Sequence, residues 1–399
     1  MANRIQFAFL SIGHFCDHFF MLVFATVAAL SLSQEWGMSY SELIPYATPG
    51  FMAFGVFAVP AGWLADRWSR NGMMVVFFIG LGLSSAFTSL AQTPLQIGIG
   101  LFAIGIFAAI YHPVGLALVV QGRENTGVPL AFNGIFGNMG VACAALITGL
   151  FIDYQGWRSA FVWPGIVSII TGMTYAGVLY ANRSTITNNT SHHITKKKLE
   201  ETKMMDRRLL FRVFGVIFLS TALGGLIFQS TTFALPKVFD ERLTELAMSA
   251  TRVGWYAFVV FAIAAFGQLA VGYLVDHYSI RAVFAAVIGL QALFFALMPG
   301  LTGWNAIGIS MAFMLVVFGQ IPINDVLISR ITRSEWRSRV YAFRYIITFS
   351  VMASSVPIIA WIHHHWGFDT LFTVLSATAI CILGAVLMLP KVLSVKRLS

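Results

Sequence analysis

The sequence predicts an all-α membrane protein with twelve transmembrane helices in two pseudo-symmetric six-helix halves. Hydrophobic residues make up 58% of the 399 residues and charged residues only 10%, whereas a soluble domain carries about 25% charged residues. Twelve apolar segments each approach the roughly 20 residues that a helix needs to cross a bilayer. Short motifs also recur about 210 residues apart. We therefore expect a lipid bilayer around the chain.

The apolar segments follow one another with short connections, apart from one long polar stretch in the middle of the chain. The first segment lacks a small-residue cleavage site and is too long for a signal peptide, so we expect it to stay as a helix. In order, the twelve segments are 6–32, 43–65, 72–92, 94–121, 127–152, 159–181, 209–236, 251–275, 282–300, 304–329, 339–365 and 368–390.

An internal repeat divides the chain into halves. The stretch GWLADR at 62–67 returns as GYLVDH at 272–277, an offset of 210 residues, and Pro113 corresponds to Pro322. We expect an N-terminal half at 1–181, a cytoplasmic linker at 182–208 and a C-terminal half at 209–399. Parallel repeats of this kind place a binding site between the halves, near the middle of the bilayer.

The positive charge indicates orientation rather than a nucleic-acid partner. The chain carries 25 Lys and Arg against 16 Asp and Glu. If both termini are cytoplasmic, twenty of these basic residues lie on the cytoplasmic side and four on the other, with Arg344 within a segment. This bias follows the positive-inside rule. We therefore expect a multi-pass protein of the inner membrane, with cytoplasmic termini and no nucleic-acid partner.

The motif GWLADRWSRN at 62–71, placed after the second apolar segment and repeated in the second half, resembles that of the major facilitator superfamily. Ser69 and Asn71 depart from its usual Gly and basic residue. Tyr111-His112-Pro113, the stretch GNMG at 137–140 and the His and Asp of the first segment are similar to the fosmidomycin-resistance branch of efflux proteins. Val114 stands where that branch often has Glu. The Gly-Pro element of many drug antiporters is missing from the fifth segment.

Ionisable residues inside the first segment point to proton coupling. Asp17 lies about 16 Å along this helix, at 1.5 Å per residue, where a carboxylate is disfavoured by about 2.5–3.5 kcal/mol unless it faces a cavity or a partner. His14, Asp17, His18 and Met21 share one helical face. The alternative is that Asp17 is protonated and only hydrogen-bonds neighbouring helices.

The fourth segment supplies a second titratable group at similar depth. His112 lies about 13 Å from the end of its helix, and Pro113 removes a backbone hydrogen bond there. The resemblance implies that helices one and four both line the central cavity, so Asp17 and His112 would form a pair that exchanges protons. The alternative is a core histidine bonded to a backbone carbonyl.

Other polar residues within the helices are candidates for binding substrate. Arg344 is suited to a phosphonate or carboxylate, because its guanidinium binds such groups through two hydrogen bonds. It could equally extend to the interface, and Asp325 could pair with it. The remaining substrate-binding candidates are Tyr111, Asn133, Asn138 and Gln229.

The resemblance assigns the repeated motif to gating at the cytoplasmic helix ends. The acidic residues would cap a facing helix or pair across the halves when the cytoplasmic side closes. The glycines would allow close helix approach. The residues concerned are Gly62, Asp66, Arg67 and Arg70 in the first half, and Gly272, Asp276 and Arg281 in the second.

No phosphate-binding loop, catalytic triad or paired-carboxylate active site is present in the sequence. We therefore expect no enzyme, no ATP-driven pump, no cofactor and no metal. We expect a monomeric secondary transporter that moves a small polar or anionic compound by proton-coupled alternating access, as an efflux antiporter. The alternative is a proton symporter that imports a nutrient or siderophore-like metabolite, because the same residues would serve either direction.

Overall fold

A computed structural model describes residues 2–123, 127–182, 207–331 and 334–390. Within these ranges all regular structure is helical, and long apolar helices follow one another along the chain. The prediction of an all-α membrane fold is therefore confirmed. The central linker lies almost wholly outside the described residues, and the division at 181 and 209 stays a prediction.

Six helices, α1 to α6, form the N-terminal set. Three of them, α3, α5 and α6, are single α-helices, whereas α1, α2 and α4 contain turns of other helix types. The bounds are α1, Ala2–Val27 with Ala28–Leu32 and Ser33–Glu35; α2, Tyr40–Leu43 with Ile44–Ala47, Thr48–Val56 and Ala58–Arg67; α3, Arg70–Thr88; α4, Pro94–Ala108 with Tyr111–Gly115 and Leu116–Val120; α5, Gly127–Gln155; and α6, Ser159–Ala181.

The remaining helices, α7 to α12, form the C-terminal set. The first four are α7 (Arg207–Arg242), α8 (Ala250–His277), α9 (Ile280–Leu297) and α10 (Gly303–Ile331). The last helical run, Ser334–Leu387, is broken at Gly367, which has φ 73° and ψ −174°. Since glycine alone adopts such a conformation without strain, Gly367 separates α11 (334–366) from α12 (368–387). The eleven long apolar runs of the described chain therefore contain twelve helices.

Hydroxyl side chains begin several of these helices. Ser69 accepts a hydrogen bond from the N–H of Gly72 at the start of α3. Thr93 accepts one from the N–H of Gln96 at the start of α4. Ser249 accepts one from the N–H of Arg252 at the start of α8. Each contact satisfies one of the backbone donors that a helix start leaves without an intrahelical acceptor. Short polar connections therefore suffice to reverse the chain direction between helices.

The two sets meet chiefly along two helix pairs, α5 with α8 and α2 with the run that contains α11, and α1 also contacts α7. Glycine permits the first contact. A Cβ on Gly254 would lie 2.4 Å from the carbonyl oxygen of Ala145, and one on Gly149 would lie 2.3 Å from that of Ala250. The backbones of α5 and α8 are therefore in direct contact, as small residues allow in membrane helices.

The bundle has two ends, because the helices of each set alternate in direction. We call the end that carries Ala2, Ala181, Arg207 and Leu387 the terminal face, and the opposite end the distal face. Polar contacts join the two sets at the distal face. Ser41 Oγ lies 2.7 Å from His363 Nδ1. There too, Asp153 accepts hydrogen bonds from the first backbone N–H groups of α8, at 3.2 and 2.7 Å.

Candidate functional site

A cavity of about 180 Å³ lies between the two sets. The N-terminal set contributes aromatic, imidazole and apolar side chains from α1, α2 and α4. The C-terminal set contributes mostly small, amide and hydroxyl side chains from α7, α10 and α11. Lining residues include His18, Met21, Phe51, Phe54 and His112 from the first set, and Ser220, Thr221, Gln229, Gln320, Asn324, Arg344, Thr348 and Phe349 from the second.

The polar face predicted on α1 lies partly in the wall of this cavity and partly behind it. His18 and Met21 line the cavity. His14 is 7% exposed and Asp17 is fully buried. The hydrophobic environment of Asp17 therefore agrees with the sequence prediction, and its contacts decide what it can do.

Asp17 lies beside His112. His112 Nε2 is 3.2 Å from Asp17 Oδ2, across the α1–α4 contact. His112 belongs to a π-helical turn, Tyr111–Gly115, which includes Pro113 and its missing N–H donor. Such turns widen a helix locally and are frequent at functional sites. The turn directs His112 both to the cavity and to Asp17, so the structure brings together the two residues predicted to exchange protons.

A buried hydrogen-bond network holds His14. Its Nδ1 lies 2.9 Å from both the backbone oxygen and Oδ1 of Asn133. Tyr111 donates to Asn133 Oδ1 at 3.0 Å and to the carbonyl of Leu10 at 2.8 Å. The Tyr111 ring also stacks on His14, with the ring centres 4.8 Å apart. Because both partners of Nδ1 are acceptors, Nδ1 carries the proton.

Three predicted substrate-binding residues do not line the cavity, and two of them belong to this network. Tyr111 and Asn133 are both fully buried and contact His14. Asn138 is 6% exposed on α5 and is not a lining residue of the cavity as described. Their role in substrate binding stays a prediction, and the contacts that the structure gives Tyr111 and Asn133 are those of support for His14.

The C-terminal set carries the polar groups that reach the cavity. Arg344 lines it and hydrogen-bonds Asp325, whose side chain is 45% exposed. Gln229 also lines it, and its Nε2 finds no hydrogen-bond acceptor among the described residues. Arg344 and Gln229 thus present donors to the cavity, as a bound anion would require.

Most of the polar cavity-lining residues of α7 were not predicted from the sequence. Ser220, Gly224 and Gln229, with Thr221, Gly225, Phe228 and Thr232, form one stripe of this helix. Their spacing repeats with the helical period, so a stripe of small and polar residues in an apolar segment was the available signal. Asn324, one turn after Gln320 on α10, accepts a hydrogen bond from Ser220 at 3.0 Å.

The gating motif of the first half lies at the terminal face. Asp66 pairs with Arg70 at 2.8 Å, and the two side chains are 65% and 41% exposed. Arg67 lies over the Trp63 ring, 4.5 Å from its centre. A Cβ on Gly62 would be 3.3 Å from Pro113 Cβ, so α2 and α4 approach each other closely within the N-terminal set.

The corresponding residues of the second half are arranged differently. A Cβ on Gly272 would meet no described atom within 4 Å, so the close approach expected there when the cytoplasmic side closes stays a prediction. Arg281 donates to the carbonyl of Leu387 at 2.7 Å and so fixes the end of α12 to the start of α9. Asp276 is exposed at the end of α8. A role of these residues in gating stays a prediction.

Comparison with known proteins gives relatives of low identity. A gallate transporter of Pseudomonas putida is 22% identical over 311 residues, which are 69% of this chain and 66% of that protein. The 4-hydroxybenzoate transporter PcaK of Pseudomonas putida is 29% identical over 156 residues, 36% of this chain and 33% of that protein. In both matches the chain spans less than two thirds of the relative's own length.

The fold extends the likeness over the whole chain. A crystal structure of a mutant nucleoside transporter NupG superposes with a TM-score of 0.74 over 97% of this chain and 99% of that chain, at 13% identity. At this identity the superposition shows the fold alone. The sequence pattern of the Major Facilitator Superfamily matches residues 10–244. Since that is more than half of its length, the chain belongs to the Major Facilitator Superfamily.

Proposed function

We propose that this protein is a proton-coupled secondary transporter that moves a small organic anion through the cavity between its two helix sets. The observation that carries the proposal is the 3.2 Å contact between His112, which lines that cavity, and Asp17, which is buried behind it. Membership of the superfamily and the relatives named as transporters support the general class.

The pair suits proton coupling because its charge depends on access to water. Asp17 is fully buried, and the side chain of His112 is 14% exposed. A carboxylate in the membrane interior is stabilised by a neighbouring imidazolium, and either group alone is costly when charged. Opening the cavity to one side or the other changes the hydration of His112, and with it the proton occupancy of the pair.

Charge and shape favour an aromatic carboxylate as the substrate. Arg344 can bind a carboxylate through two hydrogen bonds, and Gln229 and Thr232 offer partners for hydroxyl groups. Phe54 and Phe349 line the same cavity in edge-to-face contact, with ring centres 4.6 Å apart. A flat ring could pack against this pair. The names of the gallate and 4-hydroxybenzoate transporters agree with this class.

The contacts between the sets suggest which state of the cycle the structure represents. Ser41 with His363, and Asp153 with the start of α8, join the sets at the distal face. At the terminal face Asp66 pairs within its own set. If the termini are cytoplasmic, as the charge bias predicts, the cavity is closed to the outside. Transport then requires these distal contacts to break.

The direction of transport follows from the sign of coupling. We retain efflux by proton antiport as the leading prediction, with import by symport as the alternative. The fosmidomycin-resistance branch, the inner membrane and the monomeric state stay predictions. The site is compatible with both signs, since Asp17 and His112 bind the proton in either case.

Uptake of labelled 4-hydroxybenzoate into proteoliposomes under an imposed pH gradient tests the proposal. The membrane potential is clamped with potassium and valinomycin. Acid outside drives uptake by a symporter, and acid inside drives uptake by an antiporter, whatever the orientation of the protein. Uptake that ignores both gradients would refute proton coupling. Fosmidomycin as a competitor, with methylphosphonate as control, tests the phosphonate alternative in the same vesicles.

A further inference from the structure

Three histidine rings meet at the α1–α4 contact. The ring centres of His14 and His18 are 5.1 Å apart, those of His14 and His112 are 5.6 Å apart, and those of His18 and His112 are 5.7 Å apart. One ring nitrogen from each lies within 4.8 Å of the others. Proton coupling by Asp17 and His112 does not require this triangle.

These separations match those of imidazoles that share one metal ion. A zinc–nitrogen bond is about 2.0–2.1 Å long, and the ring centre lies about 1.2 Å beyond the nitrogen. A tetrahedral ion therefore holds the centres of its imidazole ligands about 5 Å apart. The ligand nitrogens would be about 3.4 Å apart around such an ion. Side-chain rotations that move the ring nitrogens by about 1 Å therefore complete the site.

Outer contacts orient two of the rings in the way that metal-binding histidines are oriented. His14 Nδ1 donates to Asn133, which leaves the Nε2 lone pair for another partner. His112 Nε2 contacts the Asp17 carboxylate. Histidines that bind metal usually hold one ring nitrogen against a carbonyl or carboxylate in this manner, which fixes the tautomer and the ring direction.

The charge and accessibility of the site also suit a cation. Asp17 is fully buried, and its Oδ1 accepts no hydrogen bond from any described residue. A carboxylate at this position offsets the charge of a divalent ion. His18 and His112 line the cavity, so an ion can arrive from it. Imidazole ligands favour Zn²⁺, Ni²⁺ and Cu²⁺, whereas Mg²⁺ and Ca²⁺ require oxygen ligands.

We propose that His14, His18 and His112 form an inhibitory site for a divalent transition-metal ion, with Zn²⁺ as the natural candidate. The bound ion joins α1 to α4 and occupies the ring nitrogens that protons would otherwise use. Zn²⁺ therefore stops the transport cycle at the proton site. The metal-binding part of this proposal does not rest on the proposed transport function, because it follows from the geometry of the histidines alone.

Binding of Co²⁺ to the purified full-length protein in detergent, without a histidine tag, tests the site. Tetrahedral Co²⁺ gives a visible absorption band, and Zn²⁺ displaces it. We expect one such ion per chain. His18→Gln lowers the affinity at least about tenfold, as loss of a ligand does. The matched control is His364→Gln, an exposed histidine at the distal face. It leaves the spectrum and the affinity unchanged.

A second substitution separates loss of a ligand from loss of fold. In His18→Cys, a thiolate replaces the imidazole, and the Co²⁺ spectrum gains a sulfur charge-transfer band in the near ultraviolet. Retention of the original spectrum in both His18 variants, or its loss in His364→Gln, would overturn the proposal. The readout needs no proton gradient, so a failure of proton coupling and a failure of metal binding are seen separately.

Discussion

Replacement of Asp17 by Asn is the most direct test of the proposed coupling between transport and protons. The change keeps the size and shape of a fully buried side chain and removes its charge. An amide can still contact His112, whose Nε2 lies 3.2 Å from the carboxylate in the native protein. We therefore expect Asp17→Asn to fold and to bind substrate, but to lose the response to a pH gradient.

The expected magnitude follows from one exchangeable proton at this carboxylate–imidazole pair. One proton per cycle converts each pH unit of gradient into about a tenfold concentration ratio of substrate, or about 1.4 kcal/mol. A gradient of two units then supports a ratio of about 100 in the native protein. In Asp17→Asn the ratio falls to about 1, since no proton moves with the substrate.

Two assays on the same proteoliposomes separate coupling from binding. Gradient-driven uptake of 4-hydroxybenzoate reports coupling, and exchange of labelled for unlabelled substrate without a gradient reports binding and movement. Asp240→Asn is the matched control, because Asp240 is a partly exposed carboxylate that pairs with a lysine of its own helix. Driven accumulation by Asp17→Asn equal to that of this control would refute the assignment of Asp17.

Three further substitutions test the binding group, the packing and the distal contacts. Arg344→Gln should weaken binding of the carboxylate about 10- to 150-fold, which corresponds to the 1.5–3 kcal/mol of a charge-assisted hydrogen bond. Isothermal titration calorimetry measures this affinity, and an unchanged affinity would contradict the anion site. Gly137→Ala should lower the melting temperature, because its Cβ would lie 2.6 Å from His14 Nε2, whereas the Cβ of the control Gly177→Ala would meet no described atom within 4 Å. Equal melting temperatures for the two variants would show that α1 and α5 adjust freely. Asp153→Ala should destabilise the state that is closed at the distal face by about 1–3 kcal/mol. Distances between spin labels on α5 and α8 at that face should then become longer, and an unchanged distance distribution would argue against Asp153 as a closing contact.

Hydrophobic patterning was sufficient to predict the helical membrane fold, since each helix must satisfy its own backbone in lipid. The helical period also placed His14, Asp17 and His18 on one face of α1, and the structure packs that face against α4 and α5. These features depend on local sequence alone. They are the part of the site that a single sequence specifies.

Contacts that depend on how helices dock could not be predicted in this way. Asn133 was expected at the cavity but hydrogen-bonds His14, because the rotation of α5 about its axis is set by its packing against α1 and α8. Gly272 repeats Gly62 in sequence, yet a Cβ on Gly62 would lie 3.3 Å from Pro113, whereas one on Gly272 would meet no described atom within 4 Å. His363 contacts Ser41 across the two sets, a pairing that no local sequence pattern indicates. A repeated sequence therefore does not guarantee a repeated environment.

The cavity divides its chemistry between the two helix sets, and this division bears on how such a protein can evolve. The titratable pair belongs to α1 and α4, whereas Arg344, Gln229 and the polar stripe of α7 belong to the other set. Under the proposed function, substitutions in the C-terminal set would alter which molecule is bound and leave the proton-coupling pair of the N-terminal set unchanged. A chimera that keeps the N-terminal set and exchanges the C-terminal set would then bind a different substrate and keep the same coupling ion.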